Sequence, residues 1–342
     1  MNKWYQSQDV DNIIISNRIR LARNIEAYHF PTKMDEHEAS ALIAQMKLTA
    51  EKLPKYSFTC IELQDLKGLD KKQMMEHHLM SPYMFHQSLP GMMIVNQDET
   101  ISIMVNEEDH LRLQGIGTGA DLLETWKMVT QLDDDIETYI PYAFSEKYGY
   151  MTACPTNLGT GIRASYMLHL PLLKKTGYLA QILGAAGKFG MSIRGIYGEG
   201  TKSLGSIYQI SNQRTLGRSE EEIIESVQNI ATHLVAQEQN LRNIISSDLK
   251  SKLIDQVYRS YGILCFAREL ELSETMDLLS DVKLGFEMGI YDMQKPRKNI
   301  FELMIDIQEA TVAKMALKEE EALTIDVIRA NIIRKHLKTN YL

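Results

Sequence analysis

Cysteine is scarce in this 342-residue chain: only Cys60, Cys154 and Cys265 occur, odd in number and far apart. With no Cys-x-x-Cys pair, the spacing suggests neither a zinc site nor a disulfide framework, and free thiols fit a reducing cytoplasm. Basic charge is also in deficit. The 37 Lys+Arg stand against 45 Asp+Glu, a net charge of -8, and an acidic chain is a poor candidate for direct nucleic-acid binding, which needs cationic excess. No run approaches the ~20 apolar residues that span a bilayer, and the opening MNKWYQSQDVDN has no apolar core of a signal peptide, so no membrane association is expected. Internal repeats and low-complexity segments are absent. So are the common nucleotide signatures: there is no G-x-x-x-x-G-K-[ST], and no His-Arg-Asp with Asp-Phe-Gly. What remains, 44% hydrophobic and 24% charged, is the balance of a globular protein long enough to bury a sizeable core.

The pattern along the chain changes once. Residues 13–20, IIISNRIR, read as a strand that sets Arg18 and Arg20 on one face. Residues 35–53 have helical spacing, residues 92–105 read as a hairpin around Asn96–Glu99, and 120–132 look helical. Residues 150–154 read as a strand stopped by Pro155. Strands are expected at 162–170, 188–197 and 206–210, with a helix over 172–187. Ser219-Glu-Glu-Glu222 is a capping box that opens a helix. Beyond it the strands stop, and 243–342 read as helices. Adjacent strands without intervening helices argue for an α+β fold with a mostly antiparallel sheet flanked by helices, followed by an all-helical part. The expected domains are 1–241 and 242–342.

Two constellations carry chemistry. Arginines recur in otherwise apolar strands, at Arg18, Arg20, Arg112, Arg163 and Arg194. Each alone reads as a surface residue; converging on one cleft, they bind a polyphosphate with planar forks of donors. The second constellation is acidic. Asn106-Glu107-Glu108-Asp109 puts three acids at a strand end, and if that strand continues, Glu108, His110 and Arg112 share a face. Glu199 is another acid at a strand end, beside glycines. Either group is a solvated turn or a grip for a guanidinium, which is no nucleophile at neutral pH unless a carboxylate takes its proton. In YMTACPTNLGTGIRAS (150–165), Cys154 is open to three readings: covalent nucleophile, neighbour of a phosphate-cradling glycine loop, or part of a plain strand-turn-strand.

These motifs resemble a known family. Cys154-Pro-Thr-Asn-Leu-Gly-Thr160 looks like the signature of the phosphagen kinases, the ATP:guanidino phosphotransferases. Asn106-Glu-Glu-Asp-His-Leu-Arg112 resembles their substrate-carboxylate motif, and Ser16-Asn-Arg-Ile-Arg20 their first nucleotide motif, usually Ser-Ser-Arg-x-Arg. Order and spacing match. Only 15 residues precede Ser16, where small-guanidine kinases carry a helical domain, and about a hundred helical residues follow the catalytic part. That layout, with Arg194-Gly-Ile-Tyr-Gly-Glu-Gly200, is similar to the bacterial protein-arginine kinases of the McsB type.

The resemblance implies transfer of the ATP γ-phosphoryl group to protein arginine, with Mg2+ held by phosphates and water rather than directly by the protein. It places Ser16, Asn17, Arg18, Ile19, Arg20, Arg112, Arg163, Ala164, Ser165, Tyr166, Met167, Arg194, Gly195, Ile196, Tyr197, Gly198 and Glu199 along the ATP site, with His78 also touching the nucleotide. Glu108 becomes the base that orients and deprotonates the guanidinium, Glu199 its second clamp, and Glu107 a residue near the magnesium. Cys154 becomes a thiol beside the reacting group, not a covalent nucleophile. Toward the C-terminus, Ile325-Asp-Val-Ile-Arg-Ala330 resembles a phosphoarginine-recognising Arg-Asp-x-x-Arg-Ala motif; Asp326 and Arg329 match, and Ile325 replaces one arginine. The other reading of 322–338 is an amphipathic packing helix. The implied partners are a zinc-binding activator protein, a heat-shock repressor, a Clp unfoldase that degrades marked proteins, and a second copy of the chain in a homodimer. Two alternatives stand beside this: a kinase for free arginine or another small guanidine, and a catalytically silent phosphoarginine-binding adaptor.

Overall fold

The computed structural model describes residues 2–6, 13–179, 181–182, 187, 190–196, 203–245, 247–291, 298–317 and 323–337, without the side chains of 247 and 248. The chain divides into two compact units. The first comprises Met1–Trp4, Ser16–Tyr166 and Ser211–Asn229; the second comprises Tyr5–Ile15, Met167–Ile210 and Ile230–Leu342.

Ten strands are described: β1 Ile14–Arg23, β2 Thr59–Glu62, β3 Met92–Val95, β4 Ile101–Val105, β5 Leu111–Thr118, β6 Phe144–Ser145, β7 Gly149–Tyr150, β8 Ile162–His169, β9 Met191–Gly195 and β10 Ile207–Asn212. In the first unit the order is β2-β3-β4-β5-β1-β8; in the second, β10 lies between β8 and β9. The pairs β2–β3, β3–β4, β4–β5 and β5–β1 are antiparallel, with Arg20 opposite Gln114 and Ala22 opposite Arg112. This is the α+β, mostly antiparallel fold expected from adjacent strands without crossover helices.

Helices cover the sheet where the apolar spacing is helical. Glu36–Glu51 buries Ala39, Leu42, Ile43 and Met46, and begins where Asp35 accepts the Glu38 amide at 2.8 Å. Leu122–Glu137 is capped by Asp121 and buries Leu122, Val129, Leu132 and Ile136. It sits close to β5 because Gly115 and Gly117 have no side chain: a Cβ there would lie 2.4 Å from the Val129 Cγ2 and 2.3 Å from the Thr125 Oγ1. After Asn212, helices alone follow among the described residues. Glu220–Ile244 opens on the capping box, Ser219 Oγ accepting the Glu222 amide and Glu222 accepting the Ser219 amide at 3.0 Å. In the second unit, Ser247–Phe266 packs against Leu272–Glu287.

Three expected elements differ. Beyond Tyr150 the chain is not a strand: the Ala153 amide donates to the Asp109 carboxylate at 2.6 Å, so a side chain takes the donor a ladder would use. The hairpin read over 92–105 ends at Val105 as expected, and the continuation that would set Glu108, His110 and Arg112 on one face does not form: Asn106 turns with φ 59°, Glu108 and His110 sit in a loop, and Arg112 is the second residue of β5. The helix expected over 172–187 is broken rather than continuous: Pro171–Lys175 ends before Gly177, φ 77°, and residues 178, 179, 181 and 182 are helical again; 180, 183–186, 188 and 189 lie outside the described residues, as do residues 295–296 and 318–322.

The base of the first unit is an ion pair. Arg23 is 1% exposed, and its Nε and Nη2 donate to Asp133 at 3.0 and 2.6 Å. Its Nη1 donates to the Ala22 and Thr160 carbonyls, and the Tyr150 ring lies 3.5 Å from its Cζ. Burial alone would lower its pKa; Asp133 more than offsets that and raises it. Removing one partner leaves the other charge buried, so Asp133→Ala is expected to cost about 3–5 kcal/mol in urea unfolding; a loss under 1 kcal/mol would contradict this assignment.

Four histidines are held below their ordinary range chiefly by burial: His78 to about 3, His169 to about 4, and His110 and His336 in the same direction. A lowered pKa means the fold favours the neutral ring. That stability is complete above ~6.5 and lost as pH falls through the folded values. Melting temperature is therefore expected to fall between pH 7 and 5, and less steeply in His110→Gln; equal slopes in both proteins would refute the His110 share.

Candidate active site

β1, β5 and β8 lie side by side and deliver the arginines. Along β1 the side chains alternate. Asn17 turns toward helix Leu122–Glu137, its Oδ1 accepting from Thr125 Oγ1 at 2.6 Å and its Nδ2 donating to the Gly119 carbonyl, and Ile19 is buried in the core. Ser16 is also buried, while Arg18 and Arg20 are half-buried. Across β5, Arg112 and Gln114 flank them; Gln114 contacts Arg18 at 3.5 Å and donates to the His78 carbonyl at 2.8 Å. From β8, Arg163 donates to Ser211 Oγ at 3.0 Å. Ala164 and Ser165 are buried in the sheet, and Tyr166 Oη donates to the Ala120 carbonyl with its pKa pushed up to about 12 by burial. The sheet thus separates the residues expected along the nucleotide into guanidinium groups that reach the site and neighbours that hold the strands.

The electrostatics are lopsided. Arg18 is pulled down to about 9 by burial, then by Arg112 and Arg163. Arg20 is lowered by burial and then by Arg112, Arg18 and Arg163, with Glu107 opposing, and its buried Nε has no hydrogen-bond partner among the described residues. His78, φ 62°, stays neutral beside Arg18 and packs its ring 5.9 Å from Trp4. Half-buried guanidinium groups that repel one another, one with an orphaned donor, are what a polyanion relieves. A cavity of about 120 Å3 is lined by Arg20, Arg112 and Arg163 together with the acids Glu107, Glu108 and Asp109. It has room for a phosphoryl group and the end of a guanidinium, not for a nucleoside.

The three acids of the 106–110 loop have separate lives. Glu107 is 2% exposed and fully engaged: Oε1 accepts from Ser81 Oγ and Arg112, and Oε2 from the Glu108 amide at 2.7 Å. Glu108 is half-buried on the cavity wall, and its carboxylate holds no hydrogen bond among the described residues. Asp109 is buried and ties two loops together. Its Oδ1 accepts from Asn24 Nδ2 at 2.7 Å and the Ala153 amide at 2.6 Å, and its Oδ2 faces Asn157 Nδ2 at 3.4 Å. Burial raises its pKa and these three donors oppose the rise. Asn24 completes the tie by accepting the His110 amide at 2.8 Å and donating to the Met151 carbonyl. The Ile25 amide donates to His110 Nδ1, so Nε2 carries the ring proton and donates to the His29 carbonyl.

Cys154 lies on the loop that Asp109 holds. A bridge between Tyr150 and Gly159 closes its neck, and Thr215 Oγ1 donates to the Thr156 and Leu158 carbonyls beneath it. The half-buried thiol contacts Thr156 Oγ1 at 3.1 Å. Gly161, φ 66°, follows; a Cβ there would strike the Ala22 carbonyl at 2.6 Å, so only glycine lets the loop join β8 here.

Asp109, Asn24, Ser81, Gln114 and Asn157 were not singled out by type. Asp109 stood in the acidic run with its two neighbours; only the fold shows that it faces inward. The remaining expected residues belong to the second unit. Met167 is buried, Arg194 Nε donates to Ser192 Oγ at 3.2 Å, and β9 ends at Gly195, after which the Ile196 amide donates to the Ile207 carbonyl. Tyr197, Gly198 and Glu199 lie outside the described residues. Arg329, 1% exposed, donates from Nε to the Ile307 carbonyl at 3.0 Å and from Nη1 to the Leu270 carbonyl and to Asp326.

Residues 41–241 match the model of the ATP:guanido phosphotransferase C-terminal catalytic domain, and residues 250–341 that of the protein-arginine kinase McsB C-terminal domain. The protein-arginine kinase of Geobacillus sp. (strain WCH70) is 42% identical, the match covering 99% of this chain and 94% of that one. That of Bacillus subtilis (strain 168) is 41% identical over 99% and 95%. Among solved structures, the duplicated taurocyamine kinase from Schistosoma mansoni is similar with a TM-score of 0.62 at 29% identity, covering 70% of this chain and 35% of that one. A lombricine kinase is similar with 0.62 at 25%, covering 72% of each. The chain belongs to the ATP:guanido phosphotransferase family, a kinase family, on its protein-arginine kinase side.

Proposed function

We propose that this protein transfers the γ-phosphoryl group of ATP to arginine side chains of proteins. The observation that carries the proposal is that one small cavity is lined both by guanidinium groups of a partly buried cluster and by Glu108, a carboxylate with no hydrogen bond among the described residues. The arginines grip phosphate oxygens and stabilise the charge that spreads over the moving phosphoryl group. Glu108 accepts a hydrogen bond from the incoming guanidinium, and takes its proton as the N–P bond forms and the bond to ADP breaks. Glu107 cannot be that base, because Arg112, Ser81 and the Glu108 amide hold both its oxygens; it positions Arg112. Asp109 fixes the Cys154 loop against the Glu108 loop. Cys154 sits beside the substrate end without forming a bond to it, and Glu199 is the second carboxylate of the grip.

The orphaned Arg20 Nε and the cation excess fit a nucleotide that brings Mg2+ on its own phosphates. Among the described residues no cluster of three or more His, Cys, Asp or Glu is placed for a metal ion. The ion supplies charge neutralisation between the phosphates. The names of the similar curated proteins support protein arginine as acceptor. The wider proposal is a cytoplasmic homodimer that marks proteins for a Clp unfoldase and acts on a heat-shock repressor, with a zinc-binding activator. No helix of the described residues is long and apolar enough to cross a membrane. Phosphoarginine recognition by Asp326 and Arg329 requires the guanidinium to exchange its carbonyl partners for phosphate.

Incubating the protein with ATP, Mg2+ and an unfolded protein should give acid-labile phosphate on arginine, read by mass spectrometry that preserves it. Phosphate found only on added free arginine would overturn the acceptor assignment. Glu108→Gln should lower kcat about 100- to 10,000-fold with little change in KM for ATP; unchanged turnover would remove Glu108 as the base. Asp109→Ala, which unties the two loops, should lower kcat on the order of 10- to 100-fold, again without moving KM for ATP. A rise in KM for ATP alone would contradict its positioning role.

A further inference from the structure

A second cleft, beside the neck of the cysteine loop, has no part in phosphoryl transfer as derived above. Its volume is about 370 Å3, and Phe144, Tyr148, Tyr150, Gly159, Leu216 and Arg218 line it. Three of these side chains are large, apolar and open to solvent: Phe144 is 59% exposed, Leu216 52% and Tyr148 42%. Its walls are braced. The Phe144 and Tyr150 rings meet edge to face at 5.3 Å, and Arg23 holds Tyr150 from behind. At Gly159, φ 109°, a Cβ would lie 2.9 Å from the Leu216 Cα, so the two loops touch backbone to backbone. Thr215, next to Leu216, is anchored to the cysteine loop through two carbonyls. The apolar wall therefore exists before anything binds.

Its position names the occupant. Tyr150 and Gly159 line this cleft and pair at the neck of the loop that bears Cys154. Asn157, on that loop, and Gly161, just past it, line the cavity where Glu108 and the arginines meet. The cleft and the cavity thus adjoin through one short stretch of chain, 157–161. Cys154 follows Tyr150 by four positions, which bounds the distance between their Cα atoms at about 14 Å. An extended polypeptide advances about 3.3 Å per residue. With its arginine in the cavity, the side chain two to four positions away reaches the cleft, whereas free arginine has nothing that does. Exposed apolar surface in a preformed concavity binds apolar side chains.

We propose that this cleft is a subsite for one apolar or aromatic side chain lying two to four residues from the target arginine of an extended polypeptide substrate. It rests on protein arginine being the acceptor, and it makes the enzyme prefer arginines near residues that a folded protein buries.

The test is a set of peptides with one arginine in a Gly/Ser background, with a leucine moved from one to six positions away on either side. Phosphoarginine formation is followed for the wild-type chain and for a Phe144→Ser/Leu216→Ser variant. The expected result is a KM about tenfold lower when leucine stands two to four positions away on one side, the scale of partly burying one such side chain. The variant should lose that gain, with kcat and the KM of the leucine-free peptide unchanged. A KM independent of leucine position, or an equal loss for all peptides in the variant, overturns the subsite while leaving the acceptor assignment intact. Phosphorylation of free arginine but of no peptide overturns both.

Discussion

Like charges forced together are the constraint around which the site is organised. Arg18, Arg20, Arg112 and Arg163 share a half-buried region on three adjacent strands, where burial and then the neighbouring guanidinium groups lower the proton affinity of Arg18 and Arg20, and the Arg20 Nε is a buried donor unmatched among the described residues. Glu107 is the carboxylate that opposes these charges at Arg20, and its oxygens are engaged by Arg112, Ser81 and the Glu108 amide. Such an arrangement costs stability unless a polyanion occupies it. The same accounting explains why Glu108 is left over. Its neighbour takes an internal cation and an internal amide, and Glu108, on the cavity wall with no hydrogen bond among the described residues, is the carboxylate we propose receives a guanidinium from outside.

Charge alone does not give a reaction; relative placement does. Two loops carry the acceptor-side groups, and Asp109 binds them into one piece, with Asn24 passing the connection to the end of β1 and the neutral His110 locking the segment behind it. Below them the Arg23–Asp133 pair holds the Thr160 carbonyl and the Tyr150 ring. The cysteine loop is thereby fixed at its neck and at its middle, while its outer face, with Leu216 and Phe144, stays open.

Much of this was legible beforehand. The arginines in apolar strands, the acidic run and the Cys154 loop announced themselves by residue type, and the antiparallel α+β class followed from strands without helices between them. The structural separation of Glu107, Glu108 and Asp109 was not legible. Three consecutive acids look alike in a sequence, and what distinguishes them is a left-handed Asn106 that ends the strand and gives each a different direction. The strand expected at 150–154 failed for a related reason: its backbone donor is claimed by Asp109, over forty residues away, a long-range bond that local pattern does not encode. Asn17 was assigned to the nucleotide with its motif, yet its side chain is satisfied by Thr125 and Gly119 on the other side of the strand.

The central claim, that the guanidinium cluster is a polyphosphate site left wanting its anion, is tested most directly by thermal denaturation with AMP, ADP and ATP in the presence of Mg2+. The account predicts that the melting temperature rises from AMP to ADP to ATP at equal concentration, and that the differences shrink as ionic strength rises. Equal shifts for AMP and ATP, or no shift at all, would contradict it.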